Sequence, residues 1–384
     1  MRHVRTSAHR AQPREPDLSK MICSVGTFSE FQARRSARRD AQSQSLAFPG
    51  IGPPTAIPVR QAVENTAEEK GSPAARQPAW NMTEQRSSAM VATEQDQFFH
   101  TLIQSAQRLS FDPRCPELYE PGPDTDQCYG MTAQWSPLFD TPIWASMSEQ
   151  QRILLTRCEV AQFLGIAIWL EVGLQVALLR ANHGADPARP DIAFLLNECA
   201  DENLHSLMFI KGVESIGAHF YPHDRLQKLL GRLFAMFAWH EVAYGIVLAG
   251  EEIFDAMQRD WMTDATVADA IRRTSYIHVV EESRHMAFAR RRIRDQLTTI
   301  SRPRRFLSTI AIAVGTHVVA KSLINRRVYE ELGLRWPEVK SAIDANEHHR
   351  MMFRSATASF IEFLHREGLL NRVARRIYRA SNLL

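Results

Sequence analysis

Four glutamates and three histidines recur in this chain at intervals that set them on helix faces. In SYIHVVEESRHMAFAR, His278, Glu282 and His285 follow one another at four and three residues, so a helix projects all three from one side. The segment ECADENLHSLMF repeats the theme with Asp201, Glu202 and His205. Thirty-one residues before each Glu-x-x-His pair stands another Glu in an apolar helical context: Glu171 in AIWLEVGLQV before Glu202, and Glu251 in VLAGEEIFDAM before Glu282. That interval is about what an antiparallel helix pair needs to run up, turn and bring a second donor level with the first. Carboxylates and imidazoles on buried faces are costly unless something pairs with them, and a metal ion is the commonest partner for a Glu-x-x-His set pointing into a bundle. A single Glu-x-x-His is a weak motif; two copies with equal partner spacing describe a two-metal site. Hard carboxylate oxygens with borderline imidazoles suit iron or manganese better than zinc or calcium.

The same eighty-residue offset relates Asp201 to Glu281, each just before a glutamate of the set. Across a bundle, Asp201 is expected to accept a hydrogen bond from His285 and Glu281 from His205, fixing the ring tautomers. The halves differ at His278, whose counterpart is Glu198. One turn before Glu282, His278 is expected to reach the same metal as His285. Glu252 is the alternative donor beside Glu251, but it faces about 100° away on a helix.

The elements that must carry these residues are helices. Ser148 and Gln151 form a capping-box signature for a first helix running to about Arg180, and Pro190 suits the first turn of a second that fades near Gly217. A third is expected from Asp224 to about Asp260, and a fourth, capped by Asp264, to about Ile300. After Pro303 the chain stays helical to Gly368, with a basic tail from Asn371 whose arginines read as a solvated face. Period-two alternation is absent. The fold class is therefore all-α: a four-helix bundle carrying a di-metal site, with further C-terminal helices in a domain over residues 91–384. Trp135, Leu138, Phe139, Ile143 and Trp144 are expected to cover one end of it.

Residues 1–90 are rich in Arg, Ser, Ala, Gln and Pro without a lasting period and read as a disordered basic leader. Its acidic residues argue against a transit peptide; a domain whose true start lies near Met82 or Met90 is the other reading. Net charge is +3 over 384 residues, and the leader's thirteen Lys or Arg against eight Asp or Glu leave the remainder at −2, so nucleic-acid binding has little support. Five cysteines without a Cys-x-x-Cys fit a reducing cytoplasm, with Cys158 and Cys199 as small core residues. The apolar stretch from Phe306 to Ala320 reads as too short and too polar to span a membrane.

The set Glu171, Glu202, His205, Glu251, His278, Glu282 and His285, with the local signature EESRHMAF, resembles the p-aminobenzoate N-oxygenase family of non-haem di-iron proteins over about residues 95 to 365. His278 is the most discriminating feature, since other ferritin-like di-metal proteins share only the other six. The resemblance implies a ferritin-like bundle, often a homodimer, with those seven residues as ligands of two irons. It also implies that O2 converts an aromatic amine through hydroxylamine and nitroso stages to a nitro group. An external reductase is expected to supply electrons, because no Gly-rich dinucleotide fingerprint is present. Alternative readings are another di-metal oxidase, of acyl-desaturase or radical-generating type with Tyr244 near the metals, and a non-enzymatic metal-binding bundle.

Overall fold

In the computed structural model the described residues are 96–108, 111–122 and 125–384. The leader and the start sites expected within it lie outside them. Helix α1 covers residues 96–108 and α2 is Pro142–Ser146. The bundle follows, built from α3, Glu149–Ala181, and α4, Pro190–Ser215. A shorter α5, Arg225–Phe237, precedes the other two bundle helices, α6, His240–Thr263, and α7, Asp269–Leu297. Then come α8, Arg302–Ser322; α9, Arg326–Glu331; α10, Trp336–Ala345; α11, Glu347–Ala356; α12, Ala358–Arg366; and α13, Arg372–Ala380. No strand occurs among the described residues beyond an isolated bridge between Tyr129 and Val267.

The capping box sets the start of α3: Ser148 Oγ accepts from the Gln151 amide at 3.3 Å, and Gln151 Oε1 accepts from the Ser148 amide at 2.8 Å. Helices α3, α4, α6 and α7 run 33, 26, 24 and 29 residues, long enough at 1.5 Å per residue to enclose a site well away from either end. α3 packs on α4 and α6, and α7 on α6 and α4, closing a ring of four. α8 packs on α6 through a reciprocal close approach: Gly245 faces Ile312 and Gly315 faces Ile246, and any Cβ at either glycine would overlap the isoleucine.

Several expectations change. The single third helix is two, because the chain bends at Ala238–Trp239, where the Trp239 indole donates to Ser308 Oγ at 3.0 Å and Arg180 donates to the Ala238 carbonyl. The piece before the bend, α5, lies across α3 outside the ring. Asp264 ends α6 instead of capping α7, its carboxylate turning to the amide and hydroxyl of Thr266. The tail's arginines Arg372, Arg376 and Arg379 are exposed as expected, while the other side of α13 packs on α8 with Ala374 and Tyr378 buried. The aromatic patch is core, with Trp135, Leu138 and Trp144 buried. By length and composition, α3 and the stretch 302–331 would each suffice to cross a bilayer, which differs from the reading of 306–320 alone. In the fold both pack against other helices of the domain.

Glu159 on α3 is buried beside Tyr329, whose hydroxyl donates to its Oε1 at 3.1 Å. Burial pushes its carboxyl up to about 8, with Ser136 and Tyr329 pulling only partly back. A carboxyl raised on folding adds stability that is fully present below its unfolded value and is lost as pH rises through the folded one. Glu159→Gln should therefore gain on the wild type between about pH 5 and 8, by up to about 1.4 kcal/mol per pH unit in urea denaturation. Parallel pH profiles for the two proteins would refute this.

Candidate metal centre

Each bundle helix delivers part of the predicted set: Glu171 from α3, Glu202 and His205 from α4, Glu251 from α6, and His278, Glu282 and His285 from α7. The structure brings all seven together in the bundle interior, none more than 3% exposed. Glu202 presents one oxygen to each of two imidazoles, Oε2 at 3.3 Å from His205 Nδ1 and Oε1 at 3.3 Å from His285 Nδ1. Glu282 Oε1 lies 3.3 Å from His205 Nδ1, 3.0 Å from His285 Nδ1 and 3.6 Å from His278 Nε2. Donor atoms of Glu202, His205, Glu282 and His285 all fall within 4.8 Å of one another, as do those of Glu171, His205 and His278, and those of Glu251, His278 and Glu282. His278 thus groups with Glu171 and His205 and with Glu251 and Glu282, rather than with His285 as the sequence suggested.

A metal pair fits this donor set on a further ground. Glu171 Oε1, Glu251 Oε2, Glu282 Oε2 and both ring nitrogens of His278 are buried without a hydrogen-bond partner. A native interior leaves few such atoms unsatisfied. Burial, reinforced by the neighbouring carboxylates, pushes Glu171 and Glu251 well above the usual carboxylate range. For Glu282 burial is outweighed chiefly by His285, and for Glu202 by hydrogen bonds from His205 and His285, so both are held below that range. Burial pushes His278 down to about 4, leaving a neutral imidazole with a lone pair to offer. Without cations, the cluster is a set of charges that only shared protons keep together.

Around the set, the expected outer hydrogen bonds are present. His205 Nε2 meets Glu281 Oε2 at 2.9 Å, and His285 Nε2 meets Asp201 Oδ2 at 3.4 Å, so in both rings Nδ1 turns to the carboxylates. Glu281 also accepts from the Phe111 amide at 3.2 Å, and Asn197 donates to Asp201 at 3.1 Å. Glu252 points away, as its register implied, and pairs with Arg290. Sequence reasoning missed Ser206, which donates to Glu171 Oε2 at 2.6 Å, and Arg284, 3.7 Å from Asp201 and 3.9 Å from Glu281. The spacing of Glu281 and Arg284 by three residues was a usable signal for the second; a serine in a helix gave none for the first. Losing a partner that orients a ligating imidazole costs about 10–100-fold in metal affinity. Glu281→Gln should show that loss in a chelator competition, Asp201→Asn a smaller one in keeping with its longer contact, and undiminished affinity in both would remove the orienting role.

A family model described as p-aminobenzoate N-oxygenase AurF matches residues 92–368. Among curated proteins, an uncharacterized protein of Mycobacterium bovis is 24% identical over 252 residues, covering 64% of this chain and 74% of the relative. An uncharacterized protein of Mycobacterium tuberculosis (strain CDC 1551 / Oshkosh) is 26% identical over 256 residues with the same coverage.

Proposed function

The chain belongs to the p-aminobenzoate N-oxygenase AurF family, and on that premise we propose that it is a di-iron oxygenase that oxidises the nitrogen of a small aromatic amine towards hydroxylamine and nitro products. Membership fixes the coarser statement, a ferritin-like fold in a family of di-iron oxygenases. The observation that carries the finer one is the seventh donor, His278, aimed with the other six into one buried cluster.

In this reading Glu171, Glu202, His205, Glu251, His278, Glu282 and His285 hold two iron ions, with manganese the other metal their chemistry admits. When bound, the irons would supply paired electrons to O2, from which an oxygen atom is transferred to the substrate nitrogen. The chain's own part is positioning. Glu202, with one oxygen towards each of His205 and His285, would help hold the metals beside both rings. Ser206 fixes the rotation of Glu171, and Asp201 and Glu281 hold the proton on Nε2 of His285 and His205 so that Nδ1 stays a donor. Near-complete burial keeps bulk water from the reacting atoms.

An external reductase supplies electrons. The domain spans residues 91–384 behind the basic leader, works in the cytoplasm, and forms a homodimer. Support for the dimer is the outer face of α5, where Leu226, Leu229, Leu233, Met236 and Phe237 stand 44–63% exposed. The reading is tested by mixing the reduced, iron-loaded chain with O2 and a panel of arylamines and following products by mass spectrometry. Hydroxylamine, nitroso or nitro products are expected; oxygen consumption that leaves every amine nitrogen unoxidised would overturn it.

A further inference from the structure

Helix α13 breaks a charge pattern that several other surface helices keep. Elsewhere a basic side chain pairs with a carboxylate four residues away on its own helix, as Arg259 does with Asp255 on α6, Lys340 with Asp344 on α10 and Arg366 with Glu362 on α12. On α13, Arg372, Arg375, Arg376 and Arg379 follow one another at three, one and three residues, so all four share one face. Arg372, Arg376 and Arg379 are exposed and Arg375 is half-buried. The helix contains no acid, and among the described residues no carboxylate pairs with any of the four.

Like charges at these spacings destabilise a helix, so α13 is held by its other face. Ala374 and Tyr378 are fully buried against α8, and Ser381 Oγ lies 2.7 Å from His317 Nδ1. α8 adds Arg302, Arg304, Arg305 and Lys321 and also lacks an acid; of these, Arg304 pairs with Glu241 on α6. Eight cations without an acid thus gather on two packed helices of a domain whose net charge is −2. A patch of one sign steers an oppositely charged partner to itself, and arginine forks suit carboxylates. Lipid is a poorer fit, because the apolar side of α13 is spent on α8 and cannot enter a bilayer.

The patch also stands beside the metal centre. Two residues past His317, Val319 of α8 reaches the place a Cβ of Gly250 would occupy, next to Glu251. α13 packs on α8 and α8 on α6, so one helix separates the arginines from the helix that carries Glu251. We propose that the arginine face of α13 is the docking surface for an acidic one-electron carrier protein, the immediate source of electrons for the centre. The inference rests on the di-iron reading above, in which electrons come from outside the chain. Two successive dockings, each oxidising one carrier, deliver the two electrons that return a ferric pair to the ferrous state; no bond to the carrier forms.

The test uses the full chain, with a reduced plant-type ferredoxin as the acidic carrier and dithionite as a small reductant that needs no docking. Wild type is compared with a variant carrying Arg372→Gln, Arg375→Gln, Arg376→Gln and Arg379→Gln. In about 0.01 M salt, where charges act over about 30 Å, ferredoxin should bleach the ferric absorption of the iron-loaded wild type at least about tenfold faster than that of the variant. The gap should close in about 1 M salt, where their reach is about 3 Å, and dithionite should reduce both proteins equally. Glutamine forms helix as well as arginine and removes the repulsion, so the variant should melt no lower than the wild type, whereas a purely structural role would lower its Tm. Ferredoxin should also bind the metal-free variant about tenfold more weakly in calorimetry. Equal ferredoxin rates in low salt would overturn the inference. So would a variant that loses binding to phosphatidylserine vesicles but keeps its ferredoxin rate, which would make the face a lipid contact. Wild type without dithionite-reducible iron would overturn the di-iron reading, while the metal-free binding measurement still decides the docking surface.

Discussion

Replacing Glu282 with alanine is expected to empty the centre of metal and lower turnover at least about a thousandfold, the several kcal/mol a metal contributes to catalysis. Glu282 is fully buried and lies within 3.6 Å of a ring nitrogen on each of the three histidines, so no other residue touches as much of the cluster. Alanine leaves those imidazoles without their common carboxylate. Elemental analysis of the purified variant reads the metal, and product formation reads the turnover. A variant that kept two metals per chain would mean that the ligands lie elsewhere.

Stability should depend on metal as strongly as activity does. A ligand that binds only the folded state adds about 4 kcal/mol when present at a thousand times its dissociation constant. For a domain of this size that corresponds to a rise in Tm on the order of 10 °C for each tightly held ion. The sign follows from the metal-free cluster, where Glu171 and Glu251 are driven towards protonation by burial and by each other's neighbours. Glu251→Gln separates this from ordinary packing. Without metal the variant should melt at or above the wild type, because a buried carboxyl lacking its cation contributes no stability. With metal it should lose most of the rise. Equal metal-dependent shifts in the two proteins, by scanning calorimetry, would contradict the assignment of Glu251.

The sequence carried the site further than it carried the fold. Equal thirty-one-residue spacings survive folding because helix geometry turns residue number into height, so Glu171 with Glu202, and Glu251 with Glu282, had to meet once their helices ran antiparallel. The partners of His205 and His285 were legible for the same reason. The division of the third helix was not. Nothing between Asp224 and Asp260 interrupts the helix at Ala238 as proline would, and the bend is held by tertiary contacts from Arg180 and Ser308, distant in sequence. Asp264 was misread because a carboxylate before a helix and one that closes a turn after a helix look alike in sequence. The grouping of His278 depended on the rotation of α7 about its own axis, which spacing along a single helix cannot give.

All of these expectations depend on two cations sharing the interior of one four-helix ring. Crystals of the chain grown with ferrous iron, measured at the iron absorption edge, test that most directly. Two anomalous peaks about 3.5–4 Å apart, enclosed by Glu171, Glu202, Glu251 and Glu282, are the predicted result. Iron confined to surface carboxylates, with no peak among those four, would contradict it.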